Sequence, residues 1–412
     1  MTLYKKKYNR YDIYIFILIA SLVAGNLFGA LQAPRVLAIT LFLPCLQNYS
    51  RVSKAVSNIK NWLSLFILFS FTSCLWTPAG LDDGLVASVY NVVHVILFVE
   101  LIIFSSCARN PVKDIIYGFL FAFAISAVIA FWELTTDQHL ETSKTKEAVA
   151  SNTGTEVFMR YFAAVTFYNF NMYVTFLCFT LPFLFYGMSD KTNGTRLRLV
   201  FVAATATAVI LLLYNGSRGG LVAFIIMTAI YFVSYLLGRK SGTFYIIILV
   251  VLLVFVLYHY GSIILNTLIM RGAVQGALEE ESRLVIWTNV IKVIKEYYAL
   301  GCGAGGLYVA MEKYAFGGIT VAHNIFLELL SEYGALFFAV FFFFLLSIFK
   351  RARKIEDKNR KICLYQALFS LPIVGIINSG YLTQPVLWAA MASLYVFANY
   401  ERIVFYNKSL RK

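Results

Sequence analysis

Four short stretches of the sequence carry residues that could do chemistry. The first is Asn215-Gly216-Ser217-Arg218-Gly219-Gly220. An arginine flanked by small residues presents its guanidinium without crowding, and that planar fork matches two phosphate oxygens at once. The competing reading is an arginine snorkelling out of a tight turn. A nucleophile elbow needs glycine two positions before the serine, and Asn215 stands there, so serine hydrolysis is not supported.

The second stretch is Glu281-Ser282-Arg283-Leu284-Val285-Ile286-Trp287, running on to Tyr298. Trp287, Ile291, Ile294 and Tyr298 recur at helical spacing, while Asn289, Lys292, Lys295 and Glu296 fall on the opposite side. The pattern predicts an amphipathic interfacial helix with Arg283 in its first turn. A cation there opposes the helix dipole, which favours an anionic partner; a salt bridge to the glutamates of 279–281 is the alternative. The third stretch, Gly301-Cys302-Gly303-Ala304-Gly305-Gly306, satisfies GxGxxG by its letters. A dinucleotide site would need a strand before it inside a βαβ unit. Here a helical pattern precedes it, so a connection allowing close backbone approach is the better reading.

The fourth is Val321-Ala322-His323-Asn324-Ile325-Phe326-Leu327-Glu328-Leu329-Leu330. A histidine beside a hydrogen-bonding asparagine can accept a proton from a hydroxyl at neutral pH. The other three histidines are less well placed: His94 lies in an apolar run near Glu100, His139 in a polar loop, and His259 at a helix end. A weaker element joins Arg160 to Asn169, Phe170 and Asn171, since amides inside a membrane segment usually face the protein interior. Asp82 and Asp83 are adjacent and not spaced as a metal-binding DxD pair, so the reading names no metal and no cofactor.

These residues need elements to hold them, and composition says which kind. The chain of 412 residues is 60% hydrophobic and 14% charged, whereas soluble domains carry roughly 25% charged residues. Most of it must therefore be solvated by lipid. Apolar runs near the length needed to cross about 30 Å of hydrocarbon occur at about 13–31, 34–47, 62–75, 85–106, 115–134, 161–188, 197–214, 220–237, 243–262, 325–348, 362–380 and 386–400. The expected fold is thus an all-α polytopic membrane domain over 1–412 with about twelve transmembrane helices.

With the N-terminus placed in the cytoplasm and the chain alternating, 25 of the 35 basic residues fall inside. That asymmetry orients the chain and accounts for the net +14 without nucleic acid. Ten basic residues remain outside, among them Arg35, Arg160, Arg218 and Arg283. Two outside loops are long: 135–160 and 263–324, the larger lying between the ninth and tenth helices. The six cysteines form no CxxC pattern, so neither a disulfide framework nor a zinc site is indicated.

In order, Gly216-Ser217-Arg218-Gly219, Ser282-Arg283 with Trp287, Leu300-Gly301-Cys302-Gly303, and Ala322-His323-Asn324 with Glu328 and Gly334 resemble the O-antigen ligase and O-antigen polymerase superfamily. One departure is Ala299, where a proline is frequent. The resemblance implies about twelve helices, cytoplasmic termini, and a large periplasmic loop in the bacterial inner membrane. It implies a donor glycan on undecaprenyl diphosphate, passed to a lipid A-core hydroxyl by ligases or to another carrier-linked glycan by polymerases. It further implies that Arg218 and Arg283 are the essential arginines and His323 the essential histidine, with direct, inverting displacement. Arg160, Asn171, Ser217, Trp287 and Asn324 are expected to bind substrate. Of a different class, a lipid-glycan flippase or transporter would place its key groups at mid-membrane, where Glu100 and His94 are the candidates.

Overall fold

The computed structural model describes residues 9–27, 29–140, 142, 162–236, 276–315 and 319–403. Its α-helices are α1 (Arg10–Ala20), α2 (Ala33–Val52), α3 (Lys60–Ser73), α4 (Gly80–Cys107), α5 (Pro111–Thr136), α6 (Phe170–Ser189) and α7 (Thr195–Tyr214). They continue as α8 (Arg218–Leu236), α9 (Gly276–Glu296), α10 (Leu307–Glu312), α11 (Ile325–Ala352), α12 (Lys358–Val374) and α13 (Pro385–Ala398). In lipid a helix satisfies every backbone group within its own segment, which is why so apolar a chain folds this way.

Six of these helices, α4 to α8 and α11, are long and apolar enough to cross a membrane. The expected segments 13–31, 34–47, 62–75, 362–380 and 386–400 fall on α1, α2, α3, α12 and α13, which are shorter or less apolar. The expected ninth span, 243–262, lies outside the described residues, as does nearly all of the loop 135–160. Helix α6 sits at the centre, with 89% of its apolar window buried, packed by α5, α7, α8 and α12. Its neighbour α8 is only 17% buried over the same length of window, so it presents most of its surface outward.

Three departures from regular helix shape one end of the bundle. The expected span 161–188 begins as helix only at Phe170, because Phe162–Phe167 runs buried and non-helical. That irregular backbone is satisfied by side chains: Glu133 Oε2 accepts from Ala164 N at 2.8 Å and Val165 N at 2.7 Å. Val165 is held at φ +59°, a conformation costly for a β-branched residue and tolerated only where its surroundings fix it. The expected span 362–380 likewise ends at Val374, and residues 375–384 form an irregular segment before α13.

The third departure is inside α11, where Gly334 takes φ +77° and ψ 179°. A break of this kind strips carbonyls of their helical partners. The glycine-rich turn supplies replacements: Cys302 N donates to Ser331 O at 2.7 Å and Gly303 N to Glu332 O at 3.0 Å. Contact is close enough that a methyl group on Gly301 would collide with Glu332 O and stand 2.8 Å from Gly334 N. The expected close backbone approach is therefore present, and its purpose is to pack the broken helix. Ala299 sits at φ +56°, which proline's ring, locked near about −65°, could not adopt.

The opposite end gathers cationic groups: Arg360 pairs with Asp357 at 3.1 Å and with Glu401, and Arg402 donates to Lys54 O at 2.8 Å.

Candidate active site

Helix α9 does not lie free at an interface. It packs on α10 and α11 through Ile286, Val290 and Val293, which form a second apolar cluster with Cys302, Leu307, Met311 and Ala322. The buried stripe is rotated from the expected one. Ile291 and Tyr298 are exposed, Asn289 is buried, and only Trp287 and Ile294 of the expected face pack partly against the cluster. The reason is the partner: Asn289 Nδ2 donates to Tyr314 O at 2.6 Å, so this polar residue is satisfied within the interface. Helix α9 also starts earlier than expected, which places Arg283 at its eighth residue and not in its first turn. The dipole argument for an anion at Arg283 is thereby removed, and its neighbours must decide its role. The side chains at 279–281, the alternative partners, lie outside those described.

Arg283 is half-buried and donates from Nη1 to Ile376 O at 3.1 Å, which sets one edge of its fork against the 375–384 segment. One turn on, Trp287 Nε1 donates to Ala322 O at 3.0 Å and fixes the residue before His323. His323 stands at φ +45°, a left-handed conformation for which histidine is several-fold enriched. Asn324 then caps α11, its Oδ1 accepting from Phe326 N at 2.9 Å and Leu327 N at 3.2 Å. The next residue ties back to the same segment, as Ile325 N donates to Gly375 O at 2.8 Å.

His323 Nδ1 is buried without a hydrogen-bond partner among the described residues. Burial, and then the positive charge of Arg283, lower the histidine to about 4. At neutral pH the imidazole is therefore uncharged and able to accept a proton. The coupling also places Arg283 and His323 within electrostatic reach of each other.

Arg218 arrives at this place from α8. Ser217 caps that helix, its Oγ accepting from Gly220 N at 3.1 Å, and Arg218 is the exposed residue that follows. Asn215 is fully buried and accepts from Ala163 N at 2.9 Å, joining the turn to the irregular segment held by Glu133. Gly219 is needed for contact, since a methyl group there would stand 2.9 Å from Ile377 Cγ1. Three parts of the sequence thus converge on three consecutive residues: the start of α11 on Gly375, Arg283 on Ile376, and the turn of Arg218 on Ile377.

Beside this junction lies a cleft of about 320 Å³ between α4, α10, the first half of α11 and the 375–384 segment. Val321 and Ala322, the two residues before His323, form part of its wall. Glu328 fixes the segment, accepting from Gly380 N at 2.9 Å and Leu382 N at 3.3 Å. Glu332 accepts from the backbone N–H groups of Gly305 and Leu307 and holds the other wall.

The expected substrate-binding residues separate into groups. Trp287, Asn324 and Ser217 lie at the junction, and each has a fixing role there: a bond to Ala322 O, the cap of α11 and the cap of α8. Asn171 is half-buried in the first turn of α6, and its carbonyl accepts from Thr175 Oγ1 at 2.8 Å. Among the described residues no bond joins its side chain to the junction. Arg160 lies outside the described residues. His94 is structural: it receives Arg35 Nε at 3.2 Å, approaches Leu382 O at 3.1 Å and stacks on Trp388. Glu100 is buried with no hydrogen-bond partner among the described residues.

Sequence reading missed the 375–384 segment, absorbing most of it into a membrane span. A signal was present in Gly375, Asn378, Ser379 and Gly380, which interrupt an apolar run. Glu133 was missed as well, although a carboxylate inside a span is itself a flag.

A helical bundle with several membrane-length apolar helices, and with this polar junction at one end, defines a multi-pass membrane protein. Residues 201–342 match the family model described as O-antigen ligase, so this stretch of the chain is similar to that family. The match spans Arg218, Arg283 and His323. No curated protein matches the chain.

Proposed function

We propose that the protein is an O-antigen ligase-type glycosyltransferase of the bacterial inner membrane. It moves a glycan from undecaprenyl diphosphate to a lipid A-core hydroxyl on the periplasmic face. The observation that carries this reading is the convergence of Arg218's turn, Arg283 and His323 on residues 375–377. The similarity of residues 201–342 to the O-antigen ligase family supports ligase or polymerase chemistry of this type.

In the proposed reaction the donor diphosphate lies against Arg283 and Arg218. The acceptor oxygen attacks the anomeric carbon from the face opposite the diphosphate, and the configuration inverts. The carbon–oxygen bond to the diphosphate breaks, and its electron pair stays on the departing carrier diphosphate. Two guanidinium groups, that of Arg283 held against Ile376 O, meet that charge where it develops, a contribution of about 10²–10³ in rate for each donor removed. The acceptor proton passes to His323, a transfer contributing about 10²–10⁴. The chemistry assigns no step to a metal or a cofactor.

A histidine lowered to about 4 is a weak base. Donor binding corrects this in part, because a diphosphate beside Arg283 offsets the smaller of the two causes that hold the imidazole down, burial being the larger. Base strength thus rises only once the donor is in place.

The test is replacement of Arg218, Arg283 or His323 by alanine in the producing cell, at matched protein level. Loss of glycan transfer with accumulation of full-length carrier-linked glycan supports ligation. Accumulation of single carrier-linked repeat units would instead assign polymerisation. Wild-type transfer by all three variants would refute the site.

A further inference from the structure

The cleft beside the junction differs in charge from the residues that face the diphosphate. Its lining includes the side chains of Asp83, Glu328, Glu332, Tyr90, Tyr308 and Tyr333, with no lysine or arginine; Asp83 is the exposed carboxylate among them, while Glu328 and Glu332 are turned to backbone N–H groups. Several backbone and hydroxyl groups of 379–383 complete it. Arg35, which is not part of the lining, is buried with its guanidinium 3.9 Å from the centroid of the Tyr90 ring. Its guanidinium is committed to Ala30 O at 3.0 Å and Thr383 O at 2.6 Å.

A diphosphate finds no cation in such a lining and meets the exposed carboxylate of Asp83. A sugar fits it on two counts. Carboxylates accept hydrogen bonds from ring hydroxyls, in the strong charge-assisted form. Aromatic faces cover the apolar side of a pyranose ring. The volume, about 320 Å³, suits one or two sugar residues. At the rim, Tyr308 Oη donates to Asp83 Oδ2 at 2.6 Å, joining α10 to α4 across the opening. Both residues are solvent-exposed, so a ligand hydroxyl can compete for that carboxylate.

We propose that this cleft is a binding subsite for a neutral or amine-bearing sugar, the terminal residue of the acceptor. Resting on the transferase reading, it places two subsites of opposite character on either side of His323. The arginines take the anionic donor, and the carboxylates and phenols take the acceptor sugar. Val321 and Ala322, which line the cleft, are the two residues that precede the candidate base. A uronic acid or a phosphorylated sugar is disfavoured by the Asp83 carboxylate and by the absence of a lysine or arginine in the lining.

Saturation-transfer NMR on the purified full-length protein in detergent tests this without relying on turnover. The probes are glucose, galactose, N-acetylglucosamine, glucosamine, glucuronic acid and inorganic pyrophosphate. Neutral and amino sugars are expected to bind wild type and Arg283→Ala. They are expected to weaken about ten-fold in Asp83→Asn and in the milder Tyr308→Phe. Pyrophosphate should show the converse dependence, and glucuronic acid should not bind. Sugar binding that is absent in wild type, or unchanged in both cleft variants, overturns the subsite and leaves the transferase reading standing. Glucuronic acid binding as well as glucose overturns it too. Cleft-dependent sugar binding in a protein that transfers no glycan would sink the transferase reading and keep the subsite.

Discussion

Replacing Gly301 with alanine should destabilise the protein far more than a glycine substitution without neighbours. Gly301 sits at φ +98°, and its new methyl group would collide with Glu332 O and stand 2.8 Å from Gly334 N. Both are backbone atoms, so neither can swing aside. The unfavourable φ alone costs about 1–3 kcal/mol. Moving the turn away also strains the bonds from Cys302 N to Ser331 O and from Gly303 N to Glu332 O. Each such bond contributes about 0.5–1.5 kcal/mol, so their loss adds about 1–3 kcal/mol. Gly80 provides the control, with φ +83° and no atom within 4 Å of where an alanine methyl group would stand. Gly80→Ala therefore carries the conformational cost without the collision. Thermal unfolding of both variants in one detergent, followed by tryptophan fluorescence, measures the difference. The midpoint of Gly301→Ala should lie clearly below that of Gly80→Ala. Equal midpoints would refute the claim that the glycine-rich turn is a packing wedge for the broken helix α11.

Three further outcomes follow from the junction. Glu133→Ala leaves Ala164 N and Val165 N buried without an acceptor, at about 1–3 kcal/mol each, and should lower the thermal midpoint and donor use together; an unchanged midpoint counts against the pinned segment. Asn324→Ala removes a helix cap worth about 1 kcal/mol, so transfer should fall far less than in His323→Ala, and Asn324→Asp should restore it. If Asn324→Ala is as inactive as His323→Ala, the asparagine touches substrate. For pH, the donor-free histidine is lowered to about 4, so kcat/KM should stay level from neutral pH to about 5 and fall as pH drops through about 4. Arg283→Gln removes a charge that disfavours the imidazolium and should move that break upward, though not to the ordinary value, because burial is the larger cause. A wild-type break near the usual histidine value would contradict the assigned environment.

Much of this was legible in the residues themselves. Apolar runs located nearly all the helices because lipid leaves a backbone few alternatives. Arg218, Arg283 and His323 were legible because each interrupts a small-residue or apolar context in which a charged or titratable group needs a reason. What the sequence could not show was what they meet. Gly375, Ile376 and Ile377 receive all three regions mainly through backbone atoms and one apolar contact, which leave no trace in side-chain type. The α9 stripe was misplaced for a related reason: Asn289 reads as solvent-facing until Tyr314 O is seen to receive it. The cleft draws Asp83 and Tyr90 from α4, Tyr308 from α10 and Glu332 from α11, and no local pattern links them.

The most direct measurement of the central claim is carrier release by purified protein. Carrier-linked glycan is incubated with the protein in detergent, with and without acceptor and in the presence of chelator, and free undecaprenyl diphosphate is quantified. The account predicts acceptor-dependent release that falls by at least about 100-fold in His323→Ala and in Arg283→Ala. No release by wild type, or equal release by wild type and His323→Ala, would contradict it.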